Sequence, residues 1–172
     1  MKNNIDSACF TPLRAAKNSP IVTGRIMISK NIFQWSEKYP SSEVFKNDID
    51  KNTLFVAKHK SKIIGCVALC SNKDLEYKNV KWLTEDNKNL YIHRLAVDPN
   101  FQKKGIGKSL MDFAEEYAKK NQFKTVRLDT FSQNKRNNKF YKSREYVKLD
   151  DVFFPMQSEY PFHCYEKIIL KS

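Results

Sequence analysis

Two short apolar runs, Leu54-Phe55-Val56-Ala57 and Ile63-Ile64-Gly65-Cys66-Val67-Ala68-Leu69, flank the polar His59-Lys60-Ser61-Lys62, a pattern that predicts two strands joined by a hairpin turn. Leu90 to Val97 reads as a third strand, stopped by Asp98-Pro99-Asn100. From Lys108 the pattern changes period: Leu110, Met111, Phe113, Ala114, Tyr117 and Ala118 recur at helical spacing, with Asp112, Glu115, Glu116, Lys119 and Lys120 between them, which predicts an amphipathic helix. Val126, Leu128 and Thr130 then alternate with Arg127 and Asp129, making 125–131 a strand, and the order strand, helix, strand implies a parallel crossover. Asn138 to Ser143 reads as a short helix, and Tyr146 to Phe154 and Phe162 to Leu170 as closing strands. Upstream, Ser41 or Ser42 can cap a helix through Glu43 to Ile49. Residues 71–89 are polar and irregular, with Trp82 as their only large apolar anchor. The first 35 residues mix helix-tolerant and β-branched stretches, so their structure is left open. The pattern as a whole is α/β with a mixed sheet.

A chain of 172 residues is the length of one ordinary domain, so one domain over residues 1–172 is expected. The longest apolar run, Ile63 to Cys70, is far short of the roughly 20 residues of a membrane span. Met1 to Ser7 carries no apolar segment of a secretory signal, and the expected compartment is the cytoplasm. The cysteines at 9, 66, 70 and 164 form no C-x-x-C, so neither a disulfide framework nor a metal site is expected. The formal charge of +12 invites a polyanion partner. Lysine supplies 25 of the 31 cations, however, scattered from end to end, unlike the arginine-favoured surface of a nucleic-acid reader. Nucleic acid and membrane are therefore not expected partners, and a homodimer is left open.

The chemistry concentrates at Gln102-Lys103-Lys104-Gly105-Ile106-Gly107-Lys108-Ser109, between the third strand and the long helix. Two of the four glycines stand here, and glycine suits positions that need positive φ or close approach of a ligand to the backbone. The following helix start offers unpaired N–H groups and partial positive charge to an anion such as pyrophosphate. A Walker A loop fails because Gln102 stands where that motif has glycine, and the dinucleotide fingerprint fails at Leu110. The pattern [QR]-x-x-G-x-[GA] is met by Gln102, Gly105 and Gly107 after Leu95-Ala96-Val97-Asp98-Pro99.

In these residues the sequence resembles the GCN5-related N-acetyltransferase (GNAT) family. Leu128-Asp129-Thr130, Asn134 and Phe140-Tyr141 follow at the family's spacing, while Gln34-Trp35, Tyr39-Pro40, Asp48-Ile49 and Ile64-Gly65 are similar to a bacterial branch. The resemblance spans about 32 to 170 and is firmest over 90–170. It implies the acyl-CoA N-acyltransferase fold, a mostly antiparallel central sheet with flanking helices, and transfer of acetyl from acetyl-CoA to the amine of a small molecule or peptide. It further implies that the backbone of Leu95, Ala96 and Val97 pairs with the pantetheine arm, that amides from Gln102 to Ser109 hold the pyrophosphate, and that Asn134 lies at the coenzyme site.

By the same resemblance Tyr141 protonates the departing thiolate, the other reading being an aromatic packed on the sheet. His93 is the best single candidate for the base, since imidazole titrates near neutrality; the competing reading is a histidine hydrogen-bonded in the fold, with Glu76, Glu85 or Asp129 next in line. Glu145 stands where the family has a glycine cap, and Asn137 where it has a small residue. The aromatic loop from Phe153 to Phe162, with Gln34, Trp35, Tyr39 and Glu159, is a candidate acceptor lining, or simply a loop pinned to the sheet.

Overall fold

The computed structural model describes residues 9–12, 40–155 and 157–170; the open N-terminal stretch, including Gln34, Trp35 and Tyr39, lies largely outside them. Seven strands make one mixed sheet in the order β1-β2-β3-β4-β5-β7-β6. They are β1 (Cys9–Pro12), β2 (Leu54–His59), β3 (Lys62–Cys70), β4 (Asn89–Val97), β5 (Thr125–Phe131), β6 (Val147–Val152) and β7 (Phe162–Ile168). Among the described residues the α-helices are α1 (Ser42–Asp50), α2 (Ile106–Lys120) and α3 (Lys135–Ser143). The described chain divides into two compact units, one holding 9–12, 40–69 and 94–114, the other 70–93, 115–155 and 157–170.

In the first unit, the Ser41 side chain accepts from Val44 N at 3.3 Å and starts α1, as its sequence position predicts. Strands β2 and β3 form the expected hairpin, with Lys60 in the left-handed conformation that its tight turn requires. Strand β1 pairs antiparallel with β2, and Phe10 stacks on Phe113 of α2 with ring centroids 4.9 Å apart. Gly65 sets the closest approach in this unit. A Cβ there would lie 2.9 Å from Ala96 O, 3.0 Å from Leu110 Cδ1 and 3.3 Å from Ile106 Cγ2. Only glycine lets the middle of β3 lie this close to β4 and to the start of α2.

In the second unit, β4 and β5 run parallel from Asn89↔Thr125 to Ile92↔Leu128, the crossover that the strand-helix-strand pattern predicts. Strand β7 pairs antiparallel with both β5 and β6. The segment 71–89 is more ordered than its composition suggests. A 3-10 helix, Leu75–Asn79, buries Tyr77 completely, so Tyr77 and not Trp82 alone anchors it. Arg127 is fully buried on β5, held by Glu166 at 2.9 Å, Asp86 at 2.6 Å and the Tyr91 hydroxyl at 2.9 Å, with its guanidinium 4.5 Å from the Trp82 ring centroid. A buried cation persists only with such complete pairing.

Candidate functional site

The turn before α2 is built by two left-handed residues, Lys103 (φ 60) and Gly105 (φ 83). The helix opens at Ile106, two residues before the sequence pattern places it, and its first bond is Ser109 N–H to Gly105 O at 2.9 Å. The amides of Ile106, Gly107 and Lys108 therefore lie in the first turn, where no preceding carbonyl is in position to accept them. The Lys103, Lys104 and Lys108 side chains are exposed around it, Lys104 lying 5.0 Å from the Phe101 ring centroid and Lys108 paired with Asp112 at 2.9 Å.

The two glycines differ in what the fold asks of them. Gly105 needs its left-handed φ, whereas a Cβ at Gly107 would meet only Val97 Cγ2 at 3.8 Å, an ordinary contact. Nothing in the described fold calls for glycine at 107; a ligand approaching the backbone would.

Strand β4 leads into this turn. Ala96 O faces Gly65, and Asp98 N donates to Ile64 O at 2.9 Å, so by strand alternation the N–H and C=O of Val97 point to the opposite edge. The chain enters the segment through Arg94, a non-glycine residue at φ 49 inside a strand. Asp98 follows the strand, its side chain accepting from Asn100 N at 2.9 Å to cap the 3-10 turn Pro99–Phe101 and pairing with Lys62 at 2.9 Å. Burial pushes its carboxyl up, but the hydrogen bonds from Lys62 and Asn100 outweigh that and hold it below the ordinary carboxylate value.

In the second unit, Asn134 and Tyr141 belong to α3. Asn134 is the N-cap, its side chain accepting from Asn137 N at 3.0 Å, so its side-chain oxygen has a structural task. Asn137 sits inside the helix without breaking it. Tyr141 is 4% exposed, packed against Phe140, Tyr146 and Tyr165. Among the described residues its hydroxyl makes no hydrogen bond, unlike that of Tyr165, which donates to Asn138 Oδ1 at 2.8 Å. Burial foremost, then the nearby Asp129, raises the Tyr141 pKa above the ordinary tyrosine value, partly offset by Arg144. It is a protonated phenol through neutral pH, able to donate. Helix α3 ends in Glu145 at φ 68, with Tyr146 N bonded to Tyr141 O at 3.1 Å and Glu145 N to Lys142 O at 3.0 Å. The left-handed cap is thus formed without its usual glycine.

His93 stacks with Tyr77 and Tyr91, at interplanar angles of 9° and 16°, and its Nδ1 lies 3.7 Å from Asp74 Oδ2. Of the fallback bases, Asp129 accepts from the Tyr77 hydroxyl, while Glu76 and Glu85 are exposed. In the aromatic loop, Phe154 packs on Tyr77 and Phe162, while Phe153 and Tyr160 are 58% and 55% exposed. Sequence reasoning missed Asp74, Tyr77 and the pairing of Arg94 with Asp48, because each acts through a contact distant in the chain.

A cavity of about 690 Å³ in the second unit, lined in part by Glu85, Lys88, Lys124, Ile168 and Leu170, contains one fallback base, Glu85, and neither Tyr141 nor His93. Among the described residues no group of three or more His, Cys, Asp or Glu is placed to hold a metal ion, and no helix is long and apolar enough to cross a membrane. Cys66 and Cys164 are buried thiols, and Cys70 is half-buried.

The seven-stranded mixed sheet, its flanking helices and the glycine turn opening α2 define an α/β protein. The chain belongs to the acetyltransferase (GNAT) family, whose pattern matches residues 25–146. It is 35% identical over 95 residues to an uncharacterized N-acetyltransferase of Methanocaldococcus jannaschii, a match covering 54% of this chain. The match spans only 38% of that relative's length. A protein of Staphylococcus aureus Mu50 described as an acetyltransferase is 25% identical, with a TM-score of 0.62 over 77% of this chain and 83% of its own. The ribosomal-protein-S18-alanine N-acetyltransferase of Escherichia coli shares the fold at 15% identity, with a TM-score of 0.70 over 96% of each chain.

Proposed function

We propose that this chain, working as one domain, transfers the acetyl group of acetyl-CoA directly to a primary amine of a small molecule or peptide. The observation that carries this reading is Gly107: the fold has room for a side chain there, yet the position is glycine beside first-turn amides, as a pyrophosphate lying against the backbone requires. Bound acetyl-CoA would supply an acetyl group activated as a thioester. The backbone from Leu95 to Val97 would align its pantetheine arm as an added strand, and amides from Gln102 to Ser109, with the exposed Lys103, Lys104 and Lys108, would hold its phosphates.

Tyr141 is read as the acid that returns a proton to the leaving sulfur, on the strength of its protonated hydroxyl, which makes no hydrogen bond among the described residues. His93 is read as the base that takes a proton from the acceptor amine. For a base of this kind, His93→Ala would lower turnover and flatten the acid limb of the pH profile. The E. coli neighbour's name specifies an alanine of a ribosomal protein as its acceptor, which makes peptide N-termini one arm of an acceptor screen and small amines the other.

The decisive measurement is thermal stabilisation by acetyl-CoA followed by an amine panel read through released thiol. A ligand that binds only the folded chain raises the melting point. No shift at saturating acetyl-CoA would remove the proposal; a shift without turnover on any amine would reduce the chain to a coenzyme-binding module.

A further inference from the structure

The left-handed residue inside β4 is not a glycine, and its side chain is tied down at its charged end. The Arg94 guanidinium grips Asp48 of α1 at two points, Nε to Oδ2 at 2.5 Å and Nη2 to Oδ1 at 2.8 Å. Both side chains are mostly buried, 12% and 7% exposed. Its main chain is tied as well, because the Cys66 Sγ lies 3.4 Å from Arg94 O and donates to it. Burial, the largest influence, pushes the Cys66 thiol up to about 12, which keeps it a donor at neutral pH. A sparsely populated φ persists only where its surroundings over-determine it. Here a bidentate ion pair and a thiol hydrogen bond do so from two sides.

A buried arginine pair spent on one strand residue is a costly way to gain stability, since replacing such pairs with apolar residues is often neutral or favourable. It is an effective way to fix a conformation. Residue 94 immediately precedes Leu95 to Val97, so its φ decides which way the next peptide planes face. We propose that Asp48 is a positioning residue which, through its two-point grip on Arg94, holds the left-handed kink in β4 and so aims the backbone amide of Val97 at the thioester. This rests on the acetyl-transfer reading of that segment.

The test uses the full chain carrying Asp48→Asn, which keeps the side-chain shape and removes the charge, with Arg94→Lys as a second variant that keeps the charge and removes the fork. Backbone NMR resonances of residues 94–97 report the kink directly. Kinetics then separates aim from stability. The expected result is moved resonances at 94–97, a kcat lowered about tenfold to a hundredfold, and affinity for coenzyme A without its acetyl group changed by no more than about threefold, the pattern of an interaction lost in the transition state. A purely structural pair would lower the melting point and leave kcat of the folded enzyme intact, which overturns the proposal. Unmoved resonances at 94–97 in a folded variant also overturn it. If the wild-type chain transfers no acetyl group, the functional reading fails; the NMR arm still decides whether Asp48 sets the kink.

Discussion

Replacing Gly65 by alanine tests the packing that brings β3 against β4 and α2. The added methyl would sit 2.9 Å from the Ala96 carbonyl oxygen and 3.0 Å from Leu110 Cδ1, where comfortable separations are about 3.5 to 4.0 Å. Ala96, Leu110 and Ile106 are 3%, 0% and 2% exposed, so neither the carbonyl nor the side chains have free space to yield into. Overpacking of this kind costs about 1 to 3 kcal/mol, and alanine returns about 0.5 to 1 kcal/mol by restricting the unfolded chain. The central values leave a net loss of about 1.25 kcal/mol, or a melting point lower by about 2 to 5 °C for a domain of this size. Differential scanning calorimetry of the unliganded protein reads it. Gly107→Ala is the control: with its nearest contact at 3.8 Å and better helix propensity, it should melt at or above wild type, yet show a reduced shift with acetyl-CoA. A Gly65→Ala protein as stable as wild type would refute the packing account, and a Gly107→Ala protein with an undiminished ligand shift would refute the pyrophosphate account.

Tyr141→Phe should leave the melting point nearly unchanged, because the hydroxyl makes no hydrogen bond among the described residues, and should lower kcat with little effect on acetyl-CoA affinity; steady-state kinetics with a thiol readout checks both. Glu145→Gly should raise stability by about 1 kcal/mol, since its φ of 68 strains any residue with a Cβ, and urea melts with an unchanged slope would register it. The Asp98 carboxyl is held below its ordinary value in the folded state, so its contribution is present above pH of about 4 and is lost as pH falls through the folded value. Asp98→Asn should therefore be less stable than wild type at pH 7, with the gap closing in acid; a gap constant with pH would contradict the pairing with Lys62.

Much of the fold was legible because local signals agreed with one another. Ser41 caps α1 where a serine after Pro40 predicts it, β5 runs from Thr125 to Phe131 as its alternation does, and the turn before α2 announces itself through two of four glycines. What escaped was set by partners far along the chain. Arg127 looks like the outward half of an alternating strand, and its burial depends on Glu166, 39 residues away. The Asp48–Arg94 grip joins residues 46 apart. Tyr77 stands alone among polar neighbours, with no periodicity to mark it as an anchor. For the site, the motif located the turn, while the left-handed φ at Lys103 and Arg94 had no signal in residue type.

The contrast between the chain's glycines extends to how such a sequence would change over time. Gly65 is held by its neighbours and Gly105 by its own dihedral angle, so any lineage that keeps the fold is under pressure to keep both. On the proposed reading, Gly107 answers to the ligand alone. In a descendant that had given up the coenzyme but kept its shape, residue 107 would be free to drift first, and an alanine or serine there would be an early mark of lost catalysis.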